Sequence, residues 1–231
     1  MRVIWDAAVK QKIESLALGV GIIKNVEVSS EPRGLDSIRN ETFQEIKANT
    51  DIEEIKNSAI VKSYRTFYWQ YLSIDPTKTR PSGEALARRV LKDQNIPIIN
   101  NVVYAINLAS IQTQLSFSGF DLDKIKPPLI VRYAKPQEAF NGIGSRHRKL
   151  TGTELLLSDA EKILCIYAYG DASETTVSLK TKNVLLINYG APNISSDILE
   201  NGIRTGLNYI QKTGRGERGA IAVNMIAPPE P

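Results

Sequence analysis

The chain has 231 residues, 42 % hydrophobic and 23 % charged, which excludes a disordered segment and fits a globular unit able to bury its own core. A single cysteine and a single histidine exclude an internal disulfide and the zinc motifs built on several of each. The net charge of +4, from 29 basic and 25 acidic residues, permits a nucleic-acid partner but falls short of the excess carried by a dedicated non-specific binder.

The opening MRVIWDAAVKQKIES has no apolar core bounded by a small-residue cleavage site, so it does not read as a secretory signal. The apolar run 16–23 is too short to span a bilayer. A soluble, cytoplasmic protein without membrane contact is expected. The first 28 residues predict strand, short helix, strand, with Gly19 and Gly21 permitting a bulge or a close approach. Residues 36–57 predict helix broken near Asn49 and Thr50, with Thr50 or Asp51 capping the second piece. In 58–72, Ile60, Tyr64, Phe67, Tyr68 and Tyr71 recur at three and four, placing them on one core-facing side of a helix, with Lys62, Arg65 and Gln70 elsewhere. A base-stacking platform would need those rings exposed. After a turn-rich stretch, Ser82 predicts a helix N-cap, with Glu84 in the first turn. A further helix begins near Asn100 or Asn101, with Val103 and Ile106 buried.

From about residue 120 the pattern changes to strands. LIVRYA, ILCIYAY and NVLLINYG are strand candidates, and Cys165 reads as a buried strand cysteine. The run EAFNGIGSRHRKLTG reads as loop, SSDILENGIRTGLNYIQK as an amphipathic helix with Leu199, Ile203, Leu207 and Ile210 on its apolar stripe, and NMIAPPEP as a ragged tail. Helices in the first half and strands in the second predict an α+β fold, mixed sheets with flanking helices, as one domain over 1–231.

The familiar chemical signatures are missing. No GxGxxG follows a strand, and Walker A, HExxH and GxSxG are absent. GVG at 19–21 and GIG at 142–144 read as turns. A serine–histidine–carboxylate triad would have to recruit His147, between Arg146 and Arg148, and nothing orients it. Asp121 and Asp123 read as a structural turn, so no metal or cofactor is expected. The segment GDASETT at 170–176 follows an apolar strand, where polar side chains either face a pocket or form a solvated hairpin. Its Asp171, Ser173, Glu174 and Thr175 are suited to order a water or bind an ammonium group. Arg146, Arg148 and Lys149, and a second set of Lys212, Arg215 and Arg218, are solvated surface or phosphate contacts.

The ordered series RPSGEALARRVL, NVVYAIN, FDLDKI, IVRYA and TKNVLLI resembles the B3/B4 editing domain of the phenylalanyl-tRNA synthetase β-subunit and its free-standing relatives, most clearly over 60–190. The resemblance implies a cleft that removes tyrosine wrongly attached to tRNA-Phe. Without a class II ATP-binding core, aminoacylation itself is not expected. Residue by residue, the family's arginine falls on Arg88 or Arg89 and its asparagine on Asn107. Tyr104 replaces an aspartate, and Ser118 a histidine. The glutamate that reads the tyrosine hydroxyl falls on Glu174 after a one-residue shift, or on Ser173 without it. The implied activity is hydrolysis of mischarged aminoacyl-tRNA by a held water. Asn107 and Glu174 are then catalytic, and Arg88, Arg89, Ser118, Asp171, Ser173 and Thr175 bind substrate. Arg146, Arg148 and Lys149 would contact phosphate. The partner is tRNA or aminoacyl-tRNA, with no DNA. Two alternatives stay open: a non-catalytic tRNA or RNA binding module, and a protein binding a free aromatic amino acid or small metabolite. The editing account expects Arg88, Asn107 and Glu174 to enter one concave site.

Overall fold

The predicted strand, helix and strand at the N-terminus are present in the computed structural model, which describes residues 1–144 and 146–226. They are β1 (Val3–Trp5), α1 (Ala7–Lys12) and β2 (Ala17–Lys24). The charged segment forms α2 (Asp36–Asn49) and α3 (Ile52–Asn57). The break falls where a reciprocal cap allows it. The Asp51 carboxylate accepts from the Glu53 and Glu54 backbone N–H groups, and the Glu54 side chain accepts from the Asp51 N–H.

Helix α4 (Ala59–Tyr71) is capped by Ser58 and buries Val61, Tyr64, Phe67 and Tyr68. Its core face is rotated from the predicted stripe: Val61 replaces Ile60, and Tyr71 emerges into solvent. Helix α5 (Ser82–Leu91) also differs in its start. Pro81 holds the cap position and Ser82 is the first helical residue, making no capping bond. Glu84 in that first turn is fully buried, and Arg65 donates to both its oxygens at 3.0 and 2.9 Å. Arg65 is therefore drawn inward, because a buried carboxylate persists only when paired. Helix α6 (Asn101–Thr113) begins where Asn100 Oδ1 accepts from the Val103 N–H at 2.8 Å.

The second half holds β3 (Ser116–Asp121), β4 (Leu129–Tyr133), β5 (Ala139–Gly142), β6 (Arg146–Lys149), β7 (Leu155–Ser158), β8 (Ile163–Ile166), β9 (Gly170–Asp171), β10 (Val184–Tyr189), α7 (Ser196–Gly214) and β11 (Glu217–Met225). Two expectations are corrected. The run read as loop contains the β5–β6 hairpin, with Gly144 at φ +74° in its turn. The segment after α7 is a nine-residue strand pairing with β2, and residues 227–231 of the predicted tail lie outside the described residues.

The strands form sheets ordered β1-β4-β7-β8-β9, β11-β2-β10-β3 and β5-β6. Among the described residues, only β1 and β4 pair in parallel. Strand β10 explains the layering. All six of its residues are buried, so both faces are covered. Leu185, Ile187 and Tyr189 point into the core shared with Val131, Leu157 and Leu164 of the five-stranded sheet. Val184 and Leu186 point into a second core under α5, α6 and α7. Gly19 and Gly21 serve the predicted close approach, since a Cβ there would lie 2.9 and 2.5 Å from Ile203 of α7. The result is an α+β fold of mixed sheets with flanking helices.

Candidate functional site

A cavity of about 240 Å³ opens where α4 meets the ends of β3, β8, β9 and β10. Local periodicity builds its walls. One helical turn separates Tyr64 from Tyr68, so both rings project from the same side of α4. Alternation along β3 turns Ser116 and Ser118 to one face. After β8, Ala168 at φ +66° bends the chain, so that Tyr167 and Tyr169 flank the turn and Asp171 returns opposite Cys165. Tyr189 ends β10 on the same side. The rings meet edge to face: Tyr167 and Tyr189 at 4.9 Å and 71°, Phe67 and Tyr167 at 6.3 Å and 76°.

Apart from Arg80 at the rim, the polar side chains lining this cavity are acids or hydroxyls. Ser118 Oγ donates to Asp171 Oδ1 at 2.6 Å. Asp171 is partly accessible through the mouth, but its carboxylate is surrounded by protein. Burial pushes its pKa up to about 7, against the opposing pull of the Ser118 hydrogen bond. No cation lies within ion-pairing distance of it among the described residues. Burial also raises the Cys165 thiol and the hydroxyls of Tyr64, Tyr68, Tyr167 and Tyr189, so Cys165 is no reactive thiolate. Cys165 Sγ and the Tyr189 hydroxyl are 2.9 Å apart. The Tyr64 hydroxyl is satisfied, donating to the Tyr189 carbonyl and accepting from the Ser116 N–H at 3.2 Å. Ser116 Oγ and the Tyr167 hydroxyl, by contrast, are buried without a partner. Such orphaned groups cost about 1–3 kcal/mol each, and a ligand or ordered water would relieve that cost.

Of the residues singled out in the sequence, Ser118 and Asp171 line this cavity. Arg88 and Arg89 line a neighbouring surface with Lys78, Arg80 and Lys92, and Arg80 belongs to both. Arg88 lies 3.6 Å from Glu84, while Arg89 Nε donates to the Asn95 carbonyl at 3.2 Å. Asn107 is half-buried on α6 and lines neither concavity. Ser173, Glu174 and Thr175 form a single 3-10 turn after β9 that swings them away from Asp171. Glu174 is exposed beside Glu138, Asn141, Glu161 and Lys162 in a different depression. Ser173 Oγ donates to the Asn141 carbonyl at 3.3 Å, and Thr175 is fully buried with its hydroxyl unpaired. The expected convergence of Arg88, Asn107 and Glu174 on one concave site is therefore corrected.

The basic strand β6 contains Arg146. Its Arg148 stacks over the Tyr169 ring at 4.5 Å, and Lys149 is exposed. The β5–β6 hairpin is tied to the cavity segment by the Ile143 N–H, which donates to the Asp171 carbonyl at 3.0 Å. His147 Nδ1 pairs with Asn141 Oδ1 at 2.8 Å. Asp121 accepts from the Thr181 hydroxyl at 2.8 Å and Asp123 from Asn183, as turn-forming residues do. Among the described residues no three His, Cys, Asp or Glu side chains gather as a metal site. Sequence reasoning missed the tyrosine walls. Their signal was the Tyr64 and Tyr68 pair together with the alternating tyrosines of IYAYG.

The model of the B3/4 domain matches residues 63–219. The chain is 29 % identical over 154 residues to the phenylalanine–tRNA ligase β subunit of Fusobacterium nucleatum subsp. nucleatum, covering 66 % of this chain and 18 % of that protein. It is 32 % identical over 146 residues to the corresponding subunit of Dehalococcoides mccartyi, covering 63 % and 17 %. It thus spans under a fifth of the length of these relatives. A solved N-terminal fragment of the phenylalanyl-tRNA synthetase β-subunit from Pyrococcus horikoshii superposes with a TM-score of 0.48 at 14 % identity, covering 94 % of this chain and 49 % of the other. With the family model extending over more than half of its length, the chain belongs to the B3/4 domain family.

Proposed function

We propose that this domain binds the aminoacylated 3′ end of a tRNA and hydrolyses the aminoacyl ester. The observation that supports this reading is an open-mouthed cavity of amino-acid size whose rim residue, Arg80, also belongs to a surface of five cations. At about 30 Å³ per water, 240 Å³ holds roughly eight waters, or one acyl group with a water beside it. In this reading the aminoacyl group enters the cavity, and the terminal phosphates lie on Lys78, Arg80, Arg88, Arg89 and Lys92. Arg148 on β6, over the Tyr169 ring that lines the cavity, adds a further cation near the acyl group.

An ester is already activated, so the protein need only hold a water and accommodate the developing oxyanion. Water adds to the carbonyl carbon. The bond from that carbon to the ribose oxygen breaks, and the ribose oxygen leaves with a proton. The products are a free amino acid and an uncharged tRNA. Ser118 and Asp171 orient the acyl group or the water; Asn107 and Glu174, outside the cavity, take no step. A role on charged tRNA carries a cytoplasmic location with it.

The test is a panel of mischarged aminoacyl-tRNAs incubated with the purified chain, scored for release of the amino acid. Deacylation of at least one pair, reduced by Ser118→Ala, is expected. Arg80→Ala and Arg89→Ala should each lower the dependence of log affinity on log salt by about 1. A panel left intact, beside an active editing enzyme as control, would sink hydrolysis. Salt-dependent binding without turnover would select the RNA-binding module instead.

A further inference from the structure

We infer that the tyrosine-walled cavity is a receptor for a primary ammonium group, with Asp171 as its counter-ion. The inference goes beyond the tRNA reading, because it holds whether the amine arrives on nucleic acid or free.

Three observations carry it. First, the lining of the cavity holds one carboxylate, Asp171, whose side-chain partner among the described residues is the Ser118 hydroxyl. That bond occupies Oδ1 and leaves Oδ2 for a donor. Among the described residues, the other titratable groups lining the cavity inside its rim are acids: Cys165 and the tyrosines 64, 68, 167 and 189. The cation lining the cavity, Arg80, stands at the exposed rim and approaches Glu84 at 3.9 Å. Arg148 lies farther out, on the Tyr169 ring. A buried carboxylate without a cation favours a cationic ligand and repels an anionic one. Second, Ser116 Oγ and the Tyr167 hydroxyl sit in residues more than nine-tenths buried, line the cavity and lack partners. An ammonium has three donors. One for Asp171 leaves two for these acceptors. Third, much of the remaining lining is aromatic, from Tyr64, Phe67, Tyr68, Tyr167 and Tyr189, and aromatic rings attract organic cations. The sequence offered four polar residues of the 170–176 loop for an ammonium. Of these, Asp171 lines this cavity, while Ser173, Glu174 and Thr175 do not.

The ammonium has two natural sources: the α-amino group of an aminoacyl ester, or a side-chain amine. Both present the same chemistry to Asp171, and the test separates them.

The purified chain is titrated at pH 8 with 2-phenylethylamine and with its uncharged counterpart 2-phenylethanol, followed by calorimetry. The amine remains charged there, with a pKa near that of lysine, about 10. Expected is binding of the amine at least tenfold tighter than the alcohol. Asp171→Asn should abolish that preference, and Tyr167→Phe should weaken the amine about threefold. With Asp171 titrating near 7, amine affinity should rise about tenfold between pH 6 and pH 8. At pH 7, norleucinamide reports the α-ammonium and Nα-acetyl-lysinamide the side-chain ammonium, against Nα-acetyl-norleucinamide as neutral reference. Preference for either charged probe supports the inference and names the source. Equal affinity for amine and alcohol in the wild-type chain overturns it, as does no detectable amine binding, and so does a preference that survives Asp171→Asn. No RNA is present. An intact mischarged tRNA panel therefore sinks hydrolysis alone, and an indifferent cavity sinks the ammonium site alone.

Discussion

The two faces of β10 are built to opposite ends. On the α7 face, Val184 and Leu186 pack under a helix whose Leu199, Ile203, Leu207 and Ile210 are all fully buried. Contact there is so close that β2 carries glycine at both positions beneath Ile203. Asn188 Nδ2 ties the helix down by donating to the Leu199 carbonyl at 2.8 Å. On the opposite face, Tyr189 borders a cavity holding an unpaired carboxylate and two hydroxyls without partners. The first face gives stability through contact along its length; the second does so at Leu185 and Ile187, and its Tyr189 end gives up stability for a ligand. The lesson is that the cavity is costly in the empty protein, and each of its costs is a measurable quantity.

The largest effect belongs to the packed face. Ile203→Ala should cost about 2–5 kcal/mol, by removing buried methyl groups from a site that cannot collapse against glycine backbone. Urea unfolding should show a lower midpoint with an unchanged slope. A loss below 1 kcal/mol would mean that the two faces are not so different.

Next comes the charge on the cavity face. Asp171 titrates near 7 in the folded protein, above the value of about 3.9 for an unfolded aspartate. The folded state thus holds the proton more tightly. Its contribution to stability is complete below about pH 4 and is lost as pH rises through 7. The loss should be on the order of 2–4 kcal/mol, the lower part of that range reflecting solvent access at the mouth. Asp171→Asn should flatten this slope between pH 5 and pH 8 in urea titrations. Parallel pH profiles for wild type and variant would refute the buried carboxylate.

The packed face was legible in the sequence and the cavity was not, for physical reasons. The α7 stripe recurs at three and four over four residues, and the apolar run NVLLINYG reads as a strand. The Asp51 to Glu54 spacing announces its own cap. These signals are local. The cavity depends on Ser118 meeting Asp171 across 53 positions, a contact no window can display. Tyr64 and Tyr68 carry the same spacing whether they fill a core or wall a void, so their stripe reads as core alone. Strand β3 escaped because its inward residues, Ser116 and Ser118, are polar. Strand β11 escaped because it opens with Glu217, Arg218 and Gly219 and keeps its first four residues exposed. The resemblance placed Arg88 on α5, Asn107 on α6 and Glu174 in the 3-10 turn after β9, and that turn sends Glu174 to another depression.

A smaller effect sharpens the packing argument. Gly21→Ala places a methyl 2.5 Å from Ile203 Cγ2 and 3.1 Å from Leu207 Cδ1, which should cost about 1–3 kcal/mol by overpacking. Combined with Ile203→Ala, the new methyl occupies the space vacated, so the double variant should lose clearly less than the sum of the two. Strict additivity in the unfolding cycle would show that the glycines serve the strand and not the helix above it.

The smallest effect tests the cavity from the other side. Tyr167→Phe removes a buried hydroxyl that has no partner and leaves the ring to keep its edge contacts with Phe67 and Tyr189. On a packed face such a deletion would break a bond. Here it removes a desolvation cost, so stability should change by less than about 0.5 kcal/mol or rise by up to about 1 kcal/mol. The same substitution is expected to weaken amine binding, so stability and affinity should move in opposite directions in one variant. A destabilisation above about 1.5 kcal/mol would reveal a satisfied structural hydroxyl and leave the cavity with one acceptor fewer for any ligand.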